Sequence, residues 1–390
     1  MRTKPGIEVL CESLGRWPLT GRLGLLANPA SVDANLRHAR DLIHEALPGR
    51  LTALFSPQHG FFAEKQDNMI ESADFVDPVL RVPVFSLYGE TRIPTRRMME
   101  TIDTLVVDLQ DAGTRVYTFI YTLSYCMEAA REYGKRVIVL DRPNPVSGAA
   151  VEGNLLSPAW ASFVGRYPIP MRHGMTIGEL ALLFNARFGI GCDLAVVPMA
   201  NWHRSMMFDD TGLPWVAPSP NLPTPASALV YPGQVIWEGT NISEGRGTTR
   251  PFEYFGAPFL DTRAVAGRVN PEFLKGAILR PMTFEPTYHK WQGQPCRGFQ
   301  IHPVDPGLYR PYIASLALLQ AVMDIHGKAF GWKAPPYEYE HVRMPIDLIL
   351  GDQMIRKRIE AMEDPAVIEQ DWVAGLEVFK AEAEAFYLYV

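Results

Sequence analysis

Short, mostly apolar runs recur along the first half of the chain: Leu23–Ala27, Leu51–Phe55, Val82–Leu87, Thr104–Leu109, Arg136–Leu140 and Leu194–Val197. Each spans four to six residues and lacks the alternation of a half-exposed strand. That texture suits strands buried on both faces of a parallel sheet. Amphipathic stretches lie between the runs, at Ala34–Ala46, Arg96–Ile102, Tyr121–Tyr133 and Thr176–Phe188. The last opens on Thr176 with Glu179 three residues on, the spacing of a capping box. This alternation predicts a Rossmann-like α/β domain, an open parallel sheet with helices on both faces. Ligands in such sheets bind beyond the carboxyl ends of the strands. Several runs lead there into polar sequence, namely PQHGF, LYGET, QDAGTR and DRPNP. These ends are expected to face one crevice.

The texture changes from about Ala217 to Pro258. PSPNLPTP is extended and turn-like, and EGTNISEGRGTTRPFEYFGAP, rich in Gly, Thr and charge, reads as a long functional loop. A domain boundary is expected near residue 230, dividing the chain into 1–230 and 231–390. The second part reads as a smaller α+β domain, with strands at Ile278–Phe284 and Phe299–Val304. Its helices are expected at Tyr312–Ile325, Asp352–Met362 and Val367–Ala385. A chain of 390 residues is long enough for two such cores.

Composition narrows the partners. With 37 basic and 43 acidic residues the formal charge is −6, and no basic run marks a nucleic-acid surface. No stretch of 18 apolar residues exists, so no membrane insertion is expected. The N-terminus lacks a long apolar segment, so the chain as given is expected to be cytoplasmic, or secreted or periplasmic if that end is processed. Cys11, Cys126, Cys192 and Cys296 are scattered and read as free, mostly buried thiols. No CxxC, HxxxH or HExxH spacing occurs, and no metal or cofactor is expected. The chain also lacks GxxxxGK[ST], GxGxxG and GxSxG.

The loop Glu238–Arg250 carries the richest chemistry. Glu238 and Glu244 can be aimed at one ligand, and glycoside hydrolysis needs two carboxyl groups. Arg246 and Arg250 can grip a carboxylate, while the glycines permit close backbone approach. A rigid surface loop with solvated charges is the structural alternative. Asp111 and Arg115 in DLQDAGTR and Asp141, Arg142 and Asn144 in DRPNP lie at strand ends, where capping and ion pairing compete with function. Tyr117 suits a sugar ring or the core. His59 in PQHG and His173 in RHGMT can exchange protons near neutral pH or brace a turn. Asn221 in PSPNLPTP and Asn241 in EGTNISEGRG complete the substrate-binding candidates.

Taken together, SLYGETRIPT, DLQDAGTRVYT, LDRPNP, SFVGRYPIPMRHGMTIGELA, GLPWVAPSPNLPT, YPG and EGTNISEGRGTTRPFEYFGAP resemble the exo-β-N-acetylmuramidase family, from about Gly21 to the C-terminus. The resemblance implies an active site in the cleft between the two domains. It implies metal-independent release of N-acetylmuramic acid from non-reducing ends of peptidoglycan fragments, a sugar or muropeptide being the partner. The lactyl carboxylate of that sugar makes Arg142, Arg246 and Arg115 its candidate ligands. One position departs from the family, whose strand-end motif reads Pro-Glu-His-Gly with its Glu a leading candidate for catalysis. Here that residue is Gln58, and an amide exchanges no proton at neutral pH. Glu64, Asp67 or Glu71 can replace it; or Glu244 or Glu238 can act as acid, with His59 and Asp111 assisting and Gln58 orienting the substrate acetamide. The alternative is a non-catalytic muropeptide or sugar binder.

Overall fold

The computed structural model describes residues 1–67 and 69–390. Its strands are β1 (Leu23–Ala27), β2 (Leu51–Ser56), β3 (Phe75–Val76), β4 (Pro83–Ser86), β5 (Thr104–Asp108), β6 (Arg136–Leu140), β7 (Glu152–Leu155), β8 (Pro170–Arg172), β9 (Asp193–Val197), β10 (Tyr254–Ala257), β11 (Ala277–Phe284) and β12 (Cys296–Pro303). Seven form one sheet in the order β3-β4-β2-β1-β5-β6-β9. Every pairing in it is parallel except β3 with β4. β1 and β5 are buried at every position, as unpatterned apolar runs require, whereas the edge strand β9 is buried only at Val197. The strand order reverses beside β1, and the ends of β2 and β5 flank that point.

The helices fall near their expected places with instructive differences. The first one expected, Ala34–Ala46, begins only at Ala39, because the Asp33 carboxylate holds the Asn35 and Arg37 amides in a turn and His38 caps the Arg40 amide. Arg96–Met99 is a single turn, and Phe119–Glu132 starts two residues earlier than the amphipathic pattern indicates. Thr176 and Glu179 form their reciprocal cap on Ile177–Arg187.

In the second part β10, β12 and β11 form an antiparallel sheet; Pro225–Gln234 packs on β12, and Pro311–His326 packs on that helix. The first of these helices was hidden in sequence by Pro225 and Pro232, although Pro at the first turn is compatible with a helix and Thr224 caps the Ser227 amide. Residue 230 therefore lies inside a helix rather than a linker. A Cβ on Gly233 would sit 1.9 Å from the Pro311 carbonyl, so a residue without one lets these helices touch. The loop reading of the stretch up to Pro258 is also incomplete, since it contains the helix, the 3₁₀ turn Val235–Gly239 and β10. One apolar core runs from Val107 and Leu109 below the parallel sheet to Leu318 and Ile349 in the C-terminal part.

Candidate active site

Several strand ends and loops converge on a cavity at the seam between the two parts. The turn after β2 contributes Gln58 and His59, and the segment entering Phe119–Glu132 contributes Tyr117 and Thr118. The Pro-rich stretch adds Ser219 and Asn221. The C-terminal part supplies Glu238, Arg246, Tyr337 and Glu338. His59 and Glu338 adopt left-handed backbone, with φ +75° and +46°. Such conformations in non-glycine residues are held by their surroundings and are common where function dictates side-chain direction.

Glu338 is the central carboxyl and no sequence reading picked it out. One oxygen accepts a hydrogen bond from Gln58 Nε2 at 3.0 Å, the other from the Tyr88 hydroxyl at 2.6 Å. The Gln58 carbonyl in turn accepts from the Thr118 hydroxyl at 2.8 Å. Burial pushes the Glu338 carboxyl up to about 7, against the lowering pull of Tyr88 and Gln58, with nearby Glu238 raising it further. Gln58 thus presents an amide donor to a carboxyl that exchanges its proton near neutrality. None of Glu64, Asp67 and Glu71 lines the cavity; Glu64 is exposed and caps the Phe62 amide, and Glu71 meets the Tyr339 hydroxyl at 3.3 Å.

Glu238 is fixed on both oxygens, by Arg246 Nη2 at 2.7 Å and the Tyr337 hydroxyl at 2.7 Å. Gly245 and Gly247, both at φ +79°, turn the backbone on either side of Arg246, and a Cβ on Gly247 would meet the Tyr288 backbone at 2.6 Å. Arg246 is the one Arg or Lys among the lining residues, and its Nη1 is buried without a hydrogen-bond partner. A buried, unpartnered guanidinium nitrogen is expensive unless an acceptor arrives. His59 Nδ1 meets the Lys65 carbonyl at 2.8 Å, which assigns the proton to that nitrogen and the lone pair to Nε2. Burial lowers His59 to about 4, so the ring is neutral at physiological pH.

Glu244 does not line the cavity. It stands behind Arg246 with Lys290 Nζ at 2.8 Å, and with His289 Nδ1 and Arg246 Nε each 3.2 Å away. Burial alone would raise its carboxyl; Lys290, His289 and Arg246 instead hold it well below the usual range. A carboxylate kept ionised by Lys290, Arg246 and the His289 ring is a poor proton donor, which corrects its assignment as acid. Its place is to position Arg246.

The other strand-end candidates also lie away from the cavity. Asp111 accepts from the Gly113 amide and lies 3.2 Å from His173 Nε2, a buried pair behind the wall. Arg115 carries no ligand-facing nitrogen to the site; it donates to the carbonyls of Asn154, Ile169, Ile349 and Leu350 and ties the two parts together. Arg142 is paired with Asp108, which removes it from the lactate candidates. Asp141 holds Thr176, the Gly178 amide and Tyr389, and Asn144 holds the Met175 carbonyl and the Val146 amide. Asn241 bridges Ala329 and Gly331. Of the residues expected from sequence, Gln58, His59, Tyr117, Asn221, Glu238 and Arg246 reach the cavity. Glu338 and Tyr337 were missed. Their segment, KAPPYEYEHVR, alternates carboxylates with aromatics beside a proline pair outside any helix, and that was the available signal.

A carboxyl that still carries a proton near neutral pH, sharing a cavity with a carboxylate salt-bridged to arginine, is the equipment of acid-assisted glycoside cleavage. The fold and site therefore define a two-domain α/β protein of the glycosidase class. Comparison with known proteins narrows this. Models of the N-terminal and C-terminal domains of exo-β-N-acetylmuramidase NamZ match residues 23–226 and 229–389. A peptidoglycan β-N-acetylmuramidase, NamZ of Bacillus subtilis, is 42% identical over 389 residues, covering 100% of this chain and 92% of that protein. Two crystal structures of DUF1343 family proteins from Bacteroides fragilis are also similar. One has a TM-score of 0.88 at 35% identity and the other 0.77 at 27%, each covering 100% of this chain and 99% of its own. The chain belongs to the exo-β-N-acetylmuramidase NamZ family.

Proposed function

We propose that the protein hydrolyses the β-glycosidic bond of a terminal N-acetylmuramic acid in peptidoglycan fragments, with Glu338 as the proton donor. The single observation that carries this reading is the Glu338 carboxyl, held on both oxygens at the cavity and pushed up to about 7. In the reaction the bond from the anomeric carbon to the leaving oxygen breaks and that oxygen takes the Glu338 proton. Water adds to the anomeric carbon, and the proton it releases restores the Glu338 carboxyl. The Glu238 carboxylate, immobilised by Arg246 and Tyr337, stabilises positive charge developing on the sugar ring. His59 Nε2, neutral and carrying a lone pair, accepts a hydrogen bond from a sugar hydroxyl or the attacking water. Arg246 Nη1 takes the lactyl carboxylate, the feature that separates N-acetylmuramic acid from N-acetylglucosamine. The binder alternative rested on Gln58 lacking a proton, and Glu338 beside it supplies one.

The test is release of 4-nitrophenol from the β-linked N-acetylmuramide, with the N-acetylglucosaminide as control. Cleavage of the first alone is expected. Equal cleavage of both would refute the role of Arg246, and binding of the sugar without turnover would refute hydrolysis.

A further inference from the structure

A second concavity, a groove of about 510 Å³, adjoins the catalytic cavity. Asn221 lines both and forms the wall between them. It is fixed there, accepting from the Tyr288 hydroxyl at 3.1 Å and donating to the Gln66 carbonyl at 2.7 Å. The Gly247 carbonyl accepts from both the amide and the hydroxyl of Thr287 at 2.9 Å, so the loop that aims Arg246 also builds the groove. The groove's aromatic side is Tyr254, Phe284 and Tyr288; Tyr254 and Phe284 have ring centroids 5.7 Å apart. Its polar groups are neutral amides and hydroxyls, with Thr248 and Thr249 on the loop rim. The lining includes no Arg or Lys, and its one charged residue is the exposed carboxylate of Glu285.

We infer that this groove holds the sugar on the leaving side of the scissile bond, an uncharged N-acetylated amino sugar that continues the glycan chain. The inference rests on the hydrolase reading above and extends it to the second half of the substrate. An enzyme that removes a terminal residue must place the remaining chain beyond the cavity that holds that residue, and the groove lies next to it across Asn221. Aromatic faces beside hydroxyl and amide groups suit the apolar faces and hydroxyls of a neutral pyranose. The alternative occupant is a peptide stem carried on the lactyl group. Its carboxylates would find no cation in the lining and would meet Glu285, a charge arrangement that disfavours it.

Two substitutions test this from different directions. Tyr254→Ala removes one aromatic face, and Thr249→Trp fills the groove from an exposed position without touching the core. Each is assayed on the β-1,4-linked N-acetylmuramyl-N-acetylglucosamine disaccharide, on the same disaccharide bearing a tripeptide stem, and on 4-nitrophenyl β-N-acetylmuramide. We expect kcat/KM for both disaccharides to fall at least about tenfold relative to the aryl glycoside, equivalent to ~1.4 kcal/mol of transition-state binding. Equal losses on all three substrates, or a loss confined to the peptide-bearing one, would overturn the assignment. Failure of the unsubstituted protein to cleave the aryl glycoside would instead remove the hydrolase reading, and the groove's role with it.

Discussion

Replacing Glu338 by Gln separates the reactivity of this carboxyl from the stability it withholds. The amide keeps the size and hydrogen-bonding capacity toward Gln58 and Tyr88 but cannot deliver a proton. General acid catalysis contributes roughly 10²–10⁴-fold, so kcat/KM on the disaccharide should fall by that factor, about 3–5 kcal/mol. On 4-nitrophenyl N-acetylmuramide, whose leaving group departs with less assistance, the loss should be smaller. In the unsubstituted protein kcat/KM should decline above about pH 7, where Glu338 loses its proton, and that limb should vanish in the variant. Stability should move the other way. The folded-state value of about 7 lies above the ordinary 4.5, so the native state binds this proton more tightly than the unfolded chain. The resulting stabilisation is complete below pH 4.5 and is lost as pH rises to about 7, a change of ~3 kcal/mol. Glu338→Gln should therefore raise the unfolding midpoint relative to the parent at pH 8 and raise it less at pH 4. Asp141 and Glu152, each pushed up to about 7 chiefly by burial, titrate in the same window in both proteins, so only the difference between the two curves reports Glu338. Undiminished turnover, or a midpoint lowered at pH 8, would refute the reasoning.

Other residues make separable predictions. Gln58→Glu places a carboxyl where an amide now sits 3.0 Å from Glu338; two such groups resist joint ionisation, so the alkaline limb of kcat/KM should shift upward, and an unmoved limb would contradict the contact. Arg246→Lys keeps the charge but loses the planar fork, and should reduce kcat/KM on the muramide by about tenfold or more while changing any residual glucosaminide cleavage less. Arg115→Met leaves four carbonyls without their donor, so the denaturant midpoint should fall by more than about 3 kcal/mol equivalent, with kcat of the folded protein retained. His59 should show no NMR titration between pH 5.5 and 8, since burial holds it near 4.

The parallel sheet was legible because strands buried on both faces leave a direct imprint: β1, β5 and β6 coincide with apolar runs within a residue. Pro225–Gln234 was not, because its two prolines imitate a loop while its stability comes from packing on Pro311–His326. For the site, strand-end position brought forward Gln58, His59 and Tyr117 but also Asp111, Arg115, Asp141, Arg142 and Asn144. All of these lie in the segments that follow a strand end; whether the side chain then turns to the cavity or to a neighbouring carbonyl, amide or ion partner is decided by tertiary packing. Glu244 looked catalytic for the same reason that it is not, since Lys290 and His289, distant in sequence, surround it. Glu338 was invisible because its significance lies in Tyr88 and Gln58, some 250 and 280 positions away.

The most direct test is digestion of a peptidoglycan oligosaccharide that begins with N-acetylmuramic acid at its non-reducing end, followed by mass spectrometry. The account predicts one free N-acetylmuramic acid per chain and a remaining oligosaccharide that begins with N-acetylglucosamine and is shortened no further. An intact substrate after prolonged incubation with folded protein, or internal fragments of several lengths, would contradict it.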